Sequence, residues 1–294
     1  MWRGVFGAVQ GTWRNAATED VIEVSSLSTK AARRERNSCG RRPTGMVPGP
    51  RGGTPARLAF SERIVTVDPK QAAAERGASL VQSGMVLGLG SGTTSTLMVQ
   101  AIGEKLCAGT LRNVIGVPSS SAIAKVARES GVPLATLDDH PVLDLNLDGA
   151  DEVDPDLNLT KGLGGALLWE KVVATASREV VILVDDSKLV PRLGTKAPLP
   201  VEVIPFGWKS HLGFIESLGA APVLRTEPTG RPFVTDEGNY ILHCTFANGI
   251  ADPKAVEAAL LTRAGIVGTG LFLGVAHRVI VGTPAGVEVR TRSR

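Results

Sequence analysis

The hydrophobic pattern becomes regular from about residue 66, where strand-like and helix-like segments begin to alternate. Short apolar or alternating runs predict strands at 85–90, 113–118, 132–136, 143–147 and 179–184. Helical spacing of apolar positions predicts helices at 70–82, 91–106, 119–130 and 164–177. This alternation indicates a parallel sheet covered by helices on both faces, that is, an α/β, Rossmann-like fold.

The rhythm changes after Gly194, where Pro and Gly become common. The following segments read as strand, helix, strand, strand and helix, at 201–205, 208–219, 221–226, 233–246 and 252–265. This order is typical of a split βαβ, ferredoxin-like layout. We therefore predict a smaller α+β domain at 197–265. Two short strands expected within 271–290 return to the first sheet, so the small domain is an insertion into a Rossmann-like catalytic domain formed by 63–196 and 266–294.

The first 62 residues are predicted to be a disordered basic leader, because they are rich in Arg, Gly and Pro with little periodicity. Residues 1–60 hold ten Lys or Arg and four Asp or Glu, which leaves 22 and 25 for the rest of the chain. The basic surplus therefore belongs to the leader, and the pI of about 8.9 does not indicate a body that binds nucleic acid. An Arg-rich leader fits a transit peptide, but the four acids argue for a mere extension. We expect a cytoplasmic protein, or a plastid protein if the leader is a transit peptide.

The composition further narrows the class of protein that this sequence can encode. With 43% apolar and 21% charged residues, the chain is ordinary for a globular protein, and it has no apolar run long enough to span a membrane. The three cysteines, Cys39, Cys107 and Cys244, lie far apart, and the four histidines are scattered. Neither set has disulfide-scaffold or metal-site spacing.

The stretch GLGSGTTS, residues 88–95, lies where a predicted strand turns into a helix. Glycines allow close backbone approach, and a helix N-terminus offers free N–H groups to an anion. It lacks the Lys-Ser/Thr pair of a Walker A loop, and Thr93 stands where a dinucleotide fingerprint needs its third glycine. Hydroxyls at Ser91, Thr93 and Thr94 suit one small phosphate. A plain strand–helix turn with a capping hydroxyl is the alternative.

The stretch DGADEVDPDLN, residues 148–158, directly follows the strand predicted at 143–147. Asp148 and Asp151 fall at the carboxyl end of that strand, the edge at which open α/β sheets bind ligands. Such carboxylates accept sugar hydroxyls or transfer protons, although clustered acids also attract Mg²⁺ or Ca²⁺. The spacing does not match a calcium loop. We expect Glu152, Asp154 and Asp156 to form a solvent-exposed acidic turn outside the site.

The helix predicted at 164–177 carries Glu170 on an otherwise apolar face. The positions three and four residues away are all apolar: Ala166, Leu167, Val173 and Ala174. Burial raises a carboxyl pKa from about 4.3 towards the neutral range, where a general base works best. An ion pair with a lysine on a facing segment explains the pattern equally well, and the sequence leaves both open.

Two lysines accompany these acids. Lys161 opens a glycine-rich segment, and Lys188 follows the strand at 179–184, where it can meet a phosphate as a point charge. In isolation, Lys188 reads as an ordinary surface residue. Three strand ends nevertheless bring hydroxyls, carboxylates and a lysine to one edge of one sheet.

In their order and spacing, five motifs resemble the A-type ribose-5-phosphate isomerases. They are GLGSGTTS, DLNLDGADEVDPDLNLTKGLGGALLWEK, VILVDDSKLVPRLG, LPVEVIPFGW and GTGLFLGVAHRVIVGTPAGVEV. The likeness covers about residues 66–290. It implies an isomerase of the non-oxidative pentose phosphate pathway that interconverts D-ribose 5-phosphate and D-ribulose 5-phosphate through an enediolate.

The resemblance also assigns roles. It implies Glu170 as general base, with Asp148, Asp151 and Lys161 as further catalytic residues. It implies substrate contacts at Ser91, Gly92, Thr93, Thr94, Asp148, Gly149, Ala150, Asp151, Lys161, Gly162, Leu163, Gly164 and Lys188. No metal or cofactor is expected, and neither nucleic acid nor membrane is an expected partner. A homo-oligomer, a dimer, is expected by the same resemblance.

Two positions depart from the family pattern: Leu163 stands where Gly is common, and Trp169 replaces a residue that is usually polar. Two other functions remain open. A binding-only sugar-phosphate sensor, or a CoA-transferase-like protein, would share the fold, but a sensor normally adjoins a helix-turn-helix that the leader does not show. An NAD-dependent oxidoreductase predicts an acidic residue at the end of the second strand, where this chain has Pro118 and three serines.

Overall fold

A computed structural model describes residues 68–292 of the chain, so the predicted leader at 1–62 lies outside the described residues. The helices of this part are α1 Pro69–Ala78, α2 Thr93–Cys107, α3 Ser121–Glu129, α4 Leu167–Thr175, α5 Leu212–Ser217 and α6 Pro253–Leu261. The strands are β1 Val86–Leu89, β2 Ile115–Pro118, β3 Leu145–Asp148, β4 Glu152–Val153, β5 Leu159–Thr160, β6 Val180–Asp185, β7 Leu199–Val203, β8 Ala220–Leu224, β9 Tyr240–Phe246, β10 Ile266–Thr269, β11 Leu271–Phe272, β12 Arg278–Thr283 and β13 Gly286–Thr291.

The main sheet has six strands in the order β13-β12-β6-β3-β1-β2. Neighbouring strands in this sheet run parallel to each other, except that β13 at the edge pairs antiparallel with β12. Every residue of β6 is buried, as expected for an apolar, β-branched strand at the centre of a sheet covered on both faces. The structure confirms the α/β, Rossmann-like fold.

The carboxyl ends of β1, β3 and β6 lie side by side at one edge of this sheet. Leu89 of β1 pairs with Leu147 of β3, and Asp148 of β3 pairs with Ile182 of β6. Because the strands are parallel and in register, the loops that follow them meet above the same edge. This topology brings the segments at 90–94, 149–151 and 186–188 together.

Helix α1 begins close to the same edge. A Cβ at Gly282 of β12 would lie 1.8 Å from the carbonyl oxygen of Pro69. Only glycine permits this close approach of the start of α1 to the carboxyl end of β12. The approach carries Lys70, the second residue of α1, towards the strand ends.

A second, antiparallel sheet has the strand order β10-β7-β9-β8. With its helices it follows the chain order β7-α5-β8-β9-α6-β10, the split βαβ order that the sequence predicts. β10 at Ile266–Thr269 pairs with β7, so this sheet extends four residues beyond the predicted domain limit of 265. The described residues fall in one compact unit, so a division into two domains stays a prediction.

Several local predictions differ from the structure. Residues 132–136 form only an isolated bridge, between Leu134 and Gly116, and not a strand. The closing segment contains three strands, of which β11 joins β5 and β4 in a separate small sheet. The strand predicted at 233–246 begins only at Tyr240, because residues 235–239 form a tight turn.

Candidate active site

Lys161 lies at the centre of the candidate site and contacts both predicted carboxylates. Its Nζ is 2.9 Å from Asp148 Oδ2 and 3.1 Å from Glu170 Oε1, and it donates to the carbonyl of Gly149 at 2.8 Å. All three charged side chains are buried, with at most 6% of their surface exposed. Phe272 covers the ammonium from another side, with its ring centroid 5.6 Å from Nζ. A buried cation therefore joins two buried acids.

The burial sets the proton affinities of this cluster. Desolvation raises the pKa of Glu170 to about 7, although the Lys161 ammonium partly opposes the shift. Desolvation also raises the pKa of Asp148, against the attraction and hydrogen bonding of Lys161. Burial favours the neutral form of Lys161, but the two carboxylates outweigh it and hold its pKa above the usual range. At neutral pH the lysine is therefore charged.

Asp148 accepts hydrogen bonds from backbone donors, which Glu170 lacks among the described residues, and these bonds partly oppose the effect of burial on its pKa. Its Oδ1 accepts hydrogen bonds from the N–H of Ser91 at 3.1 Å and of Gly149 at 2.7 Å. Glu170 Oε2 has no hydrogen-bond partner among the described residues. Because hydrogen bonds to a carboxylate favour its charged form, we assign the titration near neutral pH to Glu170.

The position of Asp148 depends on Gly90. A Cβ at position 90 would lie 2.0 Å from Asp148 Oδ1, far inside van der Waals contact. The glycine that follows β1 therefore makes room for the carboxylate at the end of β3. This contact couples the GLGSGTTS loop to the acidic loop.

Asp151 joins the acidic loop to the glycine-rich segment. Its Oδ2 accepts a hydrogen bond from the N–H of Leu163 at 3.0 Å. The backbone of Leu163 thus supports the site, while its side chain is partly exposed and does not line the cavity described below. Trp169, the other departure from the family pattern, is 38% exposed and lines a different groove.

The N-terminus of α2 opens towards the same region. Among the described residues no side chain caps α2, whereas Ser120 caps α3 and Asp252 caps α6. The first N–H groups of an uncapped helix remain available to an anion. Lys70 and Lys188 line the same cavity as Thr93 and Thr94. The arrangement suits a phosphate group.

These residues surround a cavity of about 140 Å³. The predicted residues that line it are Ser91, Gly92, Thr93, Thr94, Gly149, Ala150, Asp151, Lys161, Gly162, Gly164, Glu170 and Lys188. Asp148 lies behind this surface and acts on it through Lys161, and Leu163 lies beside it. Sequence reasoning missed four further lining residues: Lys70, Leu183, Val184 and Asp185.

Of the missed residues, Asp185 had a signal in the sequence. It belongs to the VDDSK motif, and its Oδ1 accepts hydrogen bonds from the N–H and hydroxyl of Ser187, which shapes the turn before Lys188. Lys70 had no such signal, because only the packing of α1 against β12 brings it to the sheet edge.

Glu152 does not fit the predicted solvent-exposed turn. It is fully buried and accepts hydrogen bonds from the N–H groups of Gly194, Lys196 and Ala197 at 2.5, 2.6 and 3.0 Å. The hydroxyl of Thr160 adds a contact at 3.3 Å. Glu152 therefore anchors the chain where it enters the second sheet, and it does not line the cavity.

Within residues 68–292, no group of three or more His, Cys, Asp or Glu side chains is placed to hold a metal ion. In the same part of the chain, no helix combines the length and apolar character needed to cross a membrane.

Comparison with known proteins identifies the family. The family model for ribose 5-phosphate isomerase A (phosphoriboisomerase A) matches residues 115–286. The ribose-5-phosphate isomerase A of Roseiflexus castenholzii is 50% identical over 218 residues, which cover 74% of this chain and 93% of that protein.

Solved structures agree. A D-ribose-5-phosphate isomerase in complex with phospho-erythronic acid has a TM-score of 0.74 and 39% identity, covering 76% of this chain and 97% of the other. The ribose 5-phosphate isomerase A of Methanocaldococcus jannaschii has a TM-score of 0.72 and 36% identity, over 76% and 97%. The chain belongs to the ribose-5-phosphate isomerase A family and is therefore an enzyme of the isomerase class.

Proposed function

We propose that this protein interconverts D-ribose 5-phosphate and D-ribulose 5-phosphate through an enediolate, with Glu170 as the general base. The observation that carries the proposal is the buried contact of Lys161 with both Asp148 and Glu170. It leaves Glu170 Oε2 without a partner among the described residues, in a side chain that lines the cavity. A base with a pKa of about 7 and a fixed cation beside it suits proton abstraction next to a carbonyl.

The phosphate orients the substrate. The uncapped start of α2 and the hydroxyls of Thr93 and Thr94 receive it, with Lys188 and Lys70 as countercharges. Ser91 and Asp151 hold sugar hydroxyls. Anchoring the phosphate at one end of the cavity directs the other end of the open-chain sugar towards Lys161 and Glu170.

The proton then moves between two adjacent carbons. Ring opening exposes the C1 aldehyde, and Asp148, which lies behind the cavity surface, assists this step through Lys161. Glu170 takes the C2 proton, the electron pair forms the C1–C2 double bond, and the former carbonyl oxygen carries the negative charge. Lys161 and nearby backbone N–H groups stabilise this oxyanion. Glu170 returns the proton to C1, while the O2 proton passes to O1, which completes the ketose without a redox change.

The proposed reaction belongs to the non-oxidative pentose phosphate pathway and uses no metal or organic cofactor. We also propose that the protein is a homodimer, which light scattering after size-exclusion chromatography tests. We propose neither nucleic acid nor a membrane as a partner. A cytoplasmic location, or a plastid one if the leader is cleaved as a transit peptide, is tested by sequencing the N-terminus of the mature protein.

The direct test is incubation of the purified chain with ribose 5-phosphate, with ribulose 5-phosphate measured as product. Ribose without its phosphate is the matched control, and we expect it to react poorly because the anchor is lost. Binding of ribose 5-phosphate without conversion would contradict the proposal and favour a sensor.

A further inference from the structure

A tight turn at residues 235–239 lies between β8 and β9 of the antiparallel sheet. It contacts the N-terminus of α3, the helix that follows β2 of the main sheet. Asp236 in this turn accepts two hydrogen bonds from Ser121: one from its N–H at 2.8 Å and one from its hydroxyl at 2.9 Å. Ser121 is the first residue of α3. A carboxylate at this position also interacts favourably with the helix dipole. The bond joins segments that are 115 residues apart in the chain.

The turn that carries Asp236 is anchored from below. Glu202 of β7 is fully buried and accepts hydrogen bonds from Thr235 Oγ1 at 2.9 Å and Asn239 Nδ2 at 3.1 Å. Within the turn, the N–H of Gly238 donates to the carbonyl of Thr235 at 2.9 Å. These contacts fix the backbone on both sides of Asp236, so its carboxylate is presented from a rigid support.

On the other side, α3 leads to the substrate cavity. Ser120 caps α3 by accepting a hydrogen bond from the N–H of Ile123 at 3.1 Å. The hydroxyl of Ser91 donates to Ser120 Oγ at 2.7 Å and lies 3.0 Å from Ser119 Oγ. Ser91 lines the cavity, whereas Ser119 and Ser120 are buried behind it. The start of α3 therefore determines where the Ser91 hydroxyl points.

We propose that Asp236 is a positioning residue for the substrate loop: it fixes the start of α3, and the serines there fix the hydroxyl of Ser91. The inference rests on the proposed function, in which Ser91 contacts the sugar phosphate. Asp236 itself does not line the cavity. Its loss weakens substrate binding while the Lys161–Glu170 contact stays in place.

Asp139 provides a matched control. Like Asp236, it is exposed and accepts hydrogen bonds from the N–H and hydroxyl of one residue, Thr136, at 3.3 and 2.8 Å. These bonds close a local turn and lead to no residue of the cavity. Asp139→Ala therefore removes the same kind of interaction without disturbing Ser91.

The experiment compares Asp236→Ala with Asp139→Ala in the full chain. We expect Asp236→Ala to raise the KM for ribose 5-phosphate about fivefold, with kcat within about twofold of wild type. Asp139→Ala should leave both constants unchanged. Asp236→Asn keeps one acceptor oxygen and should therefore raise the KM for ribose 5-phosphate less than Asp236→Ala does. An unchanged KM in Asp236→Ala, or an equal change in both Ala variants, overturns the proposal.

A second comparison applies if Asp236→Ala folds poorly. Ser121→Ala removes only the hydroxyl that donates to Asp236 and keeps the N–H bond, so we expect a rise in KM that is smaller than that of Asp236→Asn. Normal KM in both Ser121→Ala and Asp236→Asn overturns the proposal. Wild-type protein without isomerase activity refutes the proposed function, whereas an active wild type with unaltered variants refutes only the role of Asp236.

Discussion

Lys161 Nζ lies 3.1 Å from Glu170 Oε1, and both side chains are buried in the candidate site. Burial and the ion pair with Lys161 have opposite effects on the pKa of Glu170: burial raises it and the ammonium lowers it. Burial alone would keep Glu170 protonated and inactive as a base, while a solvent-exposed ion pair would make it too weak a base. The combination holds the pKa of Glu170 at about 7 and places a cation where the negative charge of an enediolate would develop.

The first prediction concerns pH. Glu170 must be ionised to accept a proton, so kcat/KM should rise as the pH increases through about 7 and then level off. The rise reflects loss of the proton from a carboxyl group whose pKa is raised by burial. A profile measured from pH 5 to 9 that is already level at pH 5.5 would contradict this assignment.

Because the substrate phosphate also ionises near pH 6, the titration should be observed on the protein itself. Carboxyl ¹³C NMR of the unliganded enzyme, labelled at glutamate, should show one resonance that titrates at a pH of about 7. This resonance should be missing from the spectrum of Glu170→Gln.

A second prediction concerns the two lysines at the anion end of the cavity. Lys188→Ala and Lys70→Ala should each raise the KM for ribose 5-phosphate by about tenfold, because each removes a countercharge from the phosphate. The value of kcat should change much less, since the lysine that is paired with Glu170 is Lys161. Steady-state kinetics at fixed ionic strength measures both constants.

Lys125→Ala is the control for these variants, because Lys125 is exposed and pairs with Glu129 on the surface of α3 at 4.0 Å. If Lys70→Ala behaves like Lys125→Ala, Lys70 has no part in phosphate binding.

A third prediction concerns Gly90. The methyl group of Gly90→Ala would lie 2.0 Å from Asp148 Oδ1, so the carboxylate or the loop must move. We expect kcat/KM to fall by about 100-fold or more, because a displaced Asp148 also shifts Lys161. Gly213→Ala is the matched control, since a Cβ there meets nothing within 4 Å and its helix favours alanine. Equal activity of the two variants would be inconsistent with the packing described.

Much of the site could be predicted from local sequence pattern. Glu170 was visible because a carboxylate on an apolar helical face is costly unless it is used or paired. The structure combines the two interpretations that the sequence left open, since Glu170 pairs with Lys161 and also faces the cavity. The loops at 91–94 and 148–151 follow predicted strands, and parallel topology brings them together.

The features that the sequence did not reveal depend on long-range packing. Lys70 reaches the cavity because Gly282 admits the start of α1. Glu152 resembled the exposed acids near it, and only the fold supplies the three backbone donors that it accepts from. The turn that carries Asp236 was hidden inside a predicted strand, since its anchor on Glu202 comes from a distant part of the chain.

The most direct test of the central claim is the kcat of Glu170→Gln, measured together with its dissociation constant for ribose 5-phosphate. Glutamine retains the size and polarity of the side chain but cannot accept the proton. We expect binding within about threefold of wild type and a kcat lower by about 100-fold or more. Near-normal turnover in this variant would contradict the assignment of Glu170 as the base.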